Sequence, residues 1–312
     1  MFSSQERLVE GDGDVHPVQR APAPWETKSE CYWMFLWLSK LPDGVYDPLE
    51  EECMRKDGAE FKGGLGSIMV VRYLDTPVGP YDELMIIPGN YTVPQPSSGP
   101  PKMPKKALRI SRIYVSQRTT TYNGRISWNI PKHLARFSFS APPTVAGESP
   151  PETLTIKVFP PGTKDGDGVV PFFAVTLKPF RWIPSLPMSS RWMPLSTVHA
   201  QPPVAEAPGF KQAVEAVREG LKIEDYDIDP KHEESLLAGT DRWRSFPINV
   251  YVSRARGCWV TIHDVSKDGE ASTANDVNEP GKYWPQDVKP WAVGAWMEDA
   301  QMDIPTPLEW KL

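Results

Sequence analysis

The chain has 312 residues and a formal net charge of -6, so it is long enough for a large core and lacks the basic excess of a nucleic-acid binder. Hydrophobic residues make up 40% and charged residues 24%, which excludes a disordered chain. Its three cysteines, Cys31, Cys53 and Cys258, are widely spaced with no C-x-x-C pair, which predicts free thiols in a reducing compartment.

In chain order, residues 1–23 read as a disordered polar lead and residues 24–312 as one β-rich domain. The lead has no apolar signal core, and no apolar run is long enough to cross a bilayer, so a cytoplasmic protein with no membrane partner is expected. Asn90-Tyr91-Thr92 is a formal glycosylation sequon that has no meaning without secretion. Cys31 to Leu38 is apolar on both faces and predicts a buried strand. Asp47 with Pro48 predicts the start of a short helix reaching Arg55. Gly63 to Ser67 predicts a turn or bulge before a strand over Ile68–Leu74. The next strand runs from Glu83 to Pro88, then a proline-rich loop spans Gly89 to Lys106. Leu108 to Ser116 alternates as a strand and is read on through the β-branched run Thr119-Thr120-Thr121.

The segment Asn123 to Phe137 predicts a strand or bend that closes on a short helix opened by Pro131. Lys132 then falls in the first turn, at the positive end of the helix dipole, where a cation is disfavoured. Further strands are predicted at Phe137–Ser140, Leu154–Phe159, Phe172–Leu177, Arg191–Ala200, Phe246–Val252, Cys258–His263 and Trp291–Trp296. A strand over Gly294–Ile304 is expected to bend at Glu298-Asp299. Phe210, Ala213, Val214, Val217 and Leu221 recur at helical spacing and predict an amphipathic helix over 209–222. The sum is an α+β chain, predominantly antiparallel β and barrel-like, with a few short helices. The 35 prolines, roughly twice the usual share, suit ordered loops between strands, and the 12 tryptophans suit a bulky core or an aromatic cavity.

The five histidines are scattered and form no metal-binding spacing. No G-x-S-x-G elbow, P-loop or kinase set is present. No metal and no cofactor are expected. The glycines at 63–66 precede a strand and lack Gly-Lys-Ser/Thr, so they are not a phosphate loop.

Gly124-Arg125, the aromatic Trp128 and the run Pro131-Lys132-His133-Leu134 together resemble the acetoacetate decarboxylase family, and more closely its fungal branch. The upstream segment Asp75-Thr76-Pro77-Val78-Gly79-Pro80-Tyr81-Asp82-Glu83 resembles another segment of that family. The likeness covers mainly residues 65–140. It implies a Schiff-base lysine at Lys132 and an active-site carboxylate at Glu83. There are departures from the family pattern. The second lysine of the family pair is His133, the glutamate of its Gly-Arg-Glu is Ile126, a second glutamate falls near Met69, and an arginine falls closest to Glu30. Arg125 is read either as a replacement clamp for a substrate anion or as a structural arginine. Trp33, Tyr81, Tyr122 and Trp128 are expected cavity walls, with His133 beside the lysine.

The resemblance implies imine formation on a β-keto acid or larger keto compound, followed by decarboxylation or aldol and dehydration chemistry. An ordinary lysine with pKa about 10.4 is neutral in roughly one molecule in two thousand at pH 7, so burial is expected to depress Lys132. The alternative is a non-catalytic barrel that binds an apolar small molecule such as a polyketide or pigment. The partner is in either case a small molecule, and the family analogy extends to a homo-oligomer.

Overall fold

The computed structural model describes residues 16–96, 103–145, 147–192, 196–265 and 280–312. Strand β1 (Trp25–Leu38) is longer than its apolar centre and is followed by helix α1 (Glu51–Lys56). Asp47 does not cap α1 directly. It forms the preceding turn, its carbonyl accepting from the Glu50 and Glu51 amides and its Oδ1 from Leu49 N. Strands β2 (Phe61–Asp75), β3 (Tyr81–Ile87), β4 (Asn90–Thr92), β5 (Lys106–Leu108) and β6 (Arg112–Val115) follow. The glycine run lies within β2 and acts as a bulge: the pairing with β4 slips between Phe61 and Gly63, and Gly63 and Gly64 take φ of 67° and 99°.

After β6 comes helix α2 (Arg118–Trp128), where continued strand was expected. The threonine run misleads because β-branched residues favour strands, yet a helical threonine can return its hydroxyl to the preceding turn. Thr121 Oγ1 donates to Gln117 O, and Gln117 caps the helix by accepting from Thr120 N. Nine residues of α2 are buried, so the helix is enclosed and no amphipathic stripe marks it. It ends at Asn129 in the left-handed region at φ 57°, with the Asn129 and Ile130 amides bonded back to Arg125 O and Gly124 O. Pro131 therefore opens strand β7 (Lys132–Leu134) and not a helix. Lys132 gains nothing from a helix N-terminus.

Strands β8 (Arg136–Phe139), β9 (Leu154–Phe159), β10 (Phe173–Pro179), β11 (Leu186–Ser189) and β12 (Val198–Gln201) come next. Helix α3 (Phe210–Arg218) confirms the periodic stretch, although only Val217 of its apolar face is buried and Leu221 lies outside it, exposed. Strands β13 (Trp243–Pro247), β14 (Asn249–Ile262), β15 (Val293–Ile304) and β16 (Leu308–Trp310) complete the sheet. The bend expected at Glu298-Asp299 is present, Asp299 taking φ 55°.

The ladder runs β16-β13-β12-β5-β4-β2-β1-β15-β14-β10-β9-β8, with β3, β6 and β7 branching from β2. Its pairings are antiparallel except β12 with β5 and β6 with β7, and the path does not close on itself. Both faces of the central strands are covered. Met69, Val71, Tyr73, Met85, Ile87, Ile113 and Val115 enter one core, while Ile68, Val70, Leu84, Ile86 and Tyr114 enter the other. This strict alternation follows from the pleat, which sends successive side chains to opposite faces. Residues 16–23 are packed and not a loose lead: His16 Nδ1 meets Tyr122 OH at 2.9 Å, and Asn123 bonds Gln19, Arg20 and Ala21. Residues 1–15 lie outside the described residues.

Candidate active site

The pleat brings Glu83 and Lys132 together. Glu83 in β3 stands opposite Val71 and Val115, and Lys132 in β7 stands opposite Ile113. Ile113 and Val115 are two apart in β6, so both partners project to the same face. That face bounds a cavity of about 180 Å³ walled by Trp25, Trp33, Phe35, Met69, Met85 and Trp128 among others. Lys132 is 3% exposed and Glu83 2%.

Lys132 Nζ donates to Glu83 Oε2 at 2.9 Å, to Thr120 Oγ1 at 2.8 Å and to Tyr81 OH at 3.3 Å. Glu83 Oε1 accepts from Tyr73 OH at 3.2 Å, and the Tyr73 and Tyr81 rings stack at 4.4 Å. Burial presses the Lys132 ammonium toward losing its proton, but the Glu83 carboxylate and Tyr81 outweigh it, so its pKa is raised and not lowered. Burial also drives the Tyr81 phenol up to about 12, so it stays a neutral hydroxyl.

Thr120 and Tyr73 are the site residues that the sequence reading missed. Thr120 was hidden because its helix was read as strand, and Tyr73 carried no signal beyond its strand. Gly124 was noticed only as part of a motif, and its role is steric. A Cβ at 124 would lie 2.7 Å from Lys132 Cδ and 2.8 Å from Cε, so the glycine is the slot through which the lysine stem passes. Gly124→Ala is expected to shift the melting temperature only modestly, since the about 1 kcal/mol that alanine gains over glycine in a helix offsets part of the cost of moving the buried lysine stem. The same variant should slow covalent capture of ketones at Lys132 at least about tenfold, because a displaced amine loses its alignment. Thermal melts and borohydride trapping read the two effects separately.

Of the expected walls, Trp33, Tyr81 and Trp128 line the cavity, as do Glu83 and Lys132. Tyr122 is not among its lining residues and is held by His16. Arg125 is not a substrate clamp. It is fully buried behind α2, with its guanidinium on Glu50 Oε1 at 2.7 Å and on the carbonyls of Ala205 and Ala238. His133 faces away from Lys132, as a neighbour in a strand must. Its Nε2 meets Glu50 Oε2 at 2.9 Å, and its Nδ1 lies 3.5 Å from Glu233 Oε1. Burial disfavours the imidazolium, but Asp47 and Glu50 overcome that and raise its pKa well above the usual value. Asp47, Glu50 and His133 place potential ligand atoms within 4.8 Å of one another, but Arg112 and Arg125 already occupy the two carboxylates. The trio is best described as a buried ion-pair cluster. Glu30, where the resemblance led to an arginine, is buried and accepts from Thr144 and Trp296, while Met69 lines the cavity.

No family model and no curated protein matches the sequence. Solved structures do match over nearly the whole chain. An acetoacetate decarboxylase-like enzyme from Sphingomonas wittichii RW1 is 11% identical, with 95% of this chain and 97% of that chain covered at a TM-score of 0.54. The enduracididine biosynthesis enzyme MppR is 10% identical, with 94% and 89% covered at 0.51. An acetoacetate decarboxylase is 12% identical, with 93% and 91% covered at 0.50. The chain therefore has the acetoacetate decarboxylase-like fold.

Proposed function

We propose that the protein is an enzyme that makes or breaks a carbon–carbon bond through an imine between Lys132 and a keto compound. The observation that carries this reading is the enclosed amine of Lys132, 2.9 Å from Glu83 in a largely apolar cavity. The shared fold with acetoacetate decarboxylase supports the reaction class.

A resting ammonium cannot attack a carbonyl, and here the ammonium is favoured. The Glu83 contact offers the way out. Inside an apolar cavity a charged pair is costly to bury, whereas amine and carboxylic acid are both neutral. Closing the site over an apolar ketone displaces water and favours transfer of the Lys132 proton to Glu83. The neutral amine adds to the ketone carbon. Glu83 returns the proton to the carbinolamine hydroxyl, which leaves as water. The resulting iminium draws in the electron pair of the breaking carbon–carbon bond as an enamine. Reprotonation of carbon and hydrolysis restore Lys132. Thr120 and Tyr81 hold the nitrogen in place throughout.

Incubation with a panel of small ketones, β-diketones and β-keto acids, followed by borohydride reduction and peptide mass mapping, tests the assignment. A reduced adduct on Lys132 is expected. Tight binding of apolar compounds with Lys132 unmodified across the panel would instead support a non-catalytic carrier, a reading that the apolar cavity walls also favour. In Glu83→Gln the chief group raising Lys132 is gone and burial dominates, so the lysine pKa falls. Its pH profile for imine formation should move toward acid, while the plateau rate drops roughly 10²–10⁴-fold with loss of the acid–base group. Initial trapping rates between pH 5 and 10 measure both. The unpaired cysteines support a cytoplasmic location.

A further inference from the structure

Lys132 and Glu83 are the only fully charged groups among the described residues that line the cavity, and they neutralise each other. With Arg125 committed to Glu50, no lining cation is left to meet a carboxylate. A substrate anion would be buried beside Glu83 without compensation, which apolar sites disfavour strongly.

Two of the residues that line the cavity, His199 and Trp33, each carry a buried ring nitrogen without a partner, Nε2 and Nε1. Buried groups of this kind are rare enough in folded proteins to need a reason. His199 is 3% exposed and stacks on Phe246 at 5.8 Å. Its Nδ1 lies 2.9 Å from Thr197 O, and a carbonyl only accepts, so Nδ1 carries the hydrogen. Nε2 is then a bare lone pair. Burial holds the ring neutral by lowering its pKa to about 4. Trp33 Nε1 can only donate. His199 stands on β12, paired with Leu108 of β5, while Lys132 is on the β3–β6–β7 branch, so a ligand reaching both spans two walls.

We propose that the cavity takes an uncharged, mostly apolar carbonyl compound bearing a hydroxyl group, and that this hydroxyl donates to His199 Nε2. The proposal rests on the Lys132 reading for the carbonyl end. The hydroxyl oxygen, or a second ligand oxygen, accepts from Trp33. His199 is thus a specificity-determining residue.

Calorimetric titration with matched ketone pairs tests it, using 4-(4-hydroxyphenyl)butan-2-one against 4-phenylbutan-2-one and the same pair with the chain two carbons longer. In at least one pair the hydroxylated member is expected to bind about tenfold tighter or better, since a site built around a hydroxyl penalises its loss. His199→Phe should remove that preference while keeping the affinity for the deoxy ketone, and His199→Gln, which offers an acceptor oxygen, should restore part of it. Replacing the phenyl tail by a carboxylate should weaken binding. Equal affinities within every pair would mean that water satisfies Nε2 and would overturn the proposal, as would a preference retained in His199→Phe or tighter binding of the carboxylate. Borohydride reduction of the same mixtures keeps the two readings apart. Hydroxyl preference without Lys132 labelling would sink the imine alone, and labelling without preference would sink the hydroxyl site alone.

Discussion

Lys132→Met should abolish the borohydride-trapped adduct while leaving a folded protein. No other lysine lines the cavity among the described residues, so nothing replaces the lost amine. The stability outcome is less intuitive. Methionine suits an apolar site, but it leaves the Glu83 carboxylate, 2% exposed, without its cation. Glu83 then survives burial by taking up a proton, and the single variant loses stability as pH rises and that proton becomes harder to hold. Lys132→Met combined with Glu83→Gln removes both charges. A buried ion pair replaced by uncharged groups of similar volume is often neutral or stabilising by about 1–4 kcal/mol. The double variant is therefore expected to match or exceed the native protein in urea denaturation. A double variant markedly weaker than the native protein would mean that the pair stabilises the fold, and a site under functional selection is expected to do the opposite.

Arg125→Met is expected to cost about 3–5 kcal/mol, the usual penalty for removing one partner of a buried pair. Glu50 is fully buried, and Arg125 also donates to the carbonyls of Ala205, Ala238 and Lys132, so the loss removes a donor from four acceptors at once. Glu50 keeps one contact, with His133 at 2.9 Å. Combining Arg125→Met with Glu50→Gln should recover part of the loss, since the orphaned charge is removed although the three carbonyls still lack the Arg125 donor. The folded fraction of either variant should still form the Lys132 adduct at a near-native rate. That outcome separates the structural role seen here from a substrate clamp, which would lower capture without unfolding the chain. Equilibrium denaturation paired with trapping rates measures both.

The strand content was legible because alternation is a local signal, whereas Glu83 and Lys132 were singled out together only through the resemblance of two short segments to a known family. The strand at Leu154–Phe159 is found within its predicted bounds, and both charged partners line the cavity. What stayed hidden was set by distance in the chain or by context. The α2 threonines carry strand propensity, and only their enclosure by the surrounding elements makes them helical. The Arg125–Glu50 and His133–Glu50 contacts join residues 75 and 83 positions apart, which no spacing rule reports. Arg125 was a candidate clamp because it sits in the Gly-Arg motif while the family arginine falls near Glu30; the fold turns it away from Gly124 and Lys132 because successive helical residues point in different directions. His199 gave no sequence signal, since its interest lies in one nitrogen that meets no protein atom.

The α2–Asn129–β7 unit also bears on the order in which the molecule can assemble. Thr120, Gly124 and Lys132 belong to one short stretch and can find each other early, by contacts of low sequence separation. Glu83 arrives only through pairing of β3 with β6 and of β6 with β7. If β7 docked first, Lys132 would have to enter a dry compartment without its carboxylate, as an amine that has shed its proton or as an unpaired ammonium. An order in which β3 is seated before the lysine is sealed in is therefore expected, and stopped-flow refolding of Glu83→Gln tests it: a folding rate reduced by more than the equilibrium change predicts is the expected result.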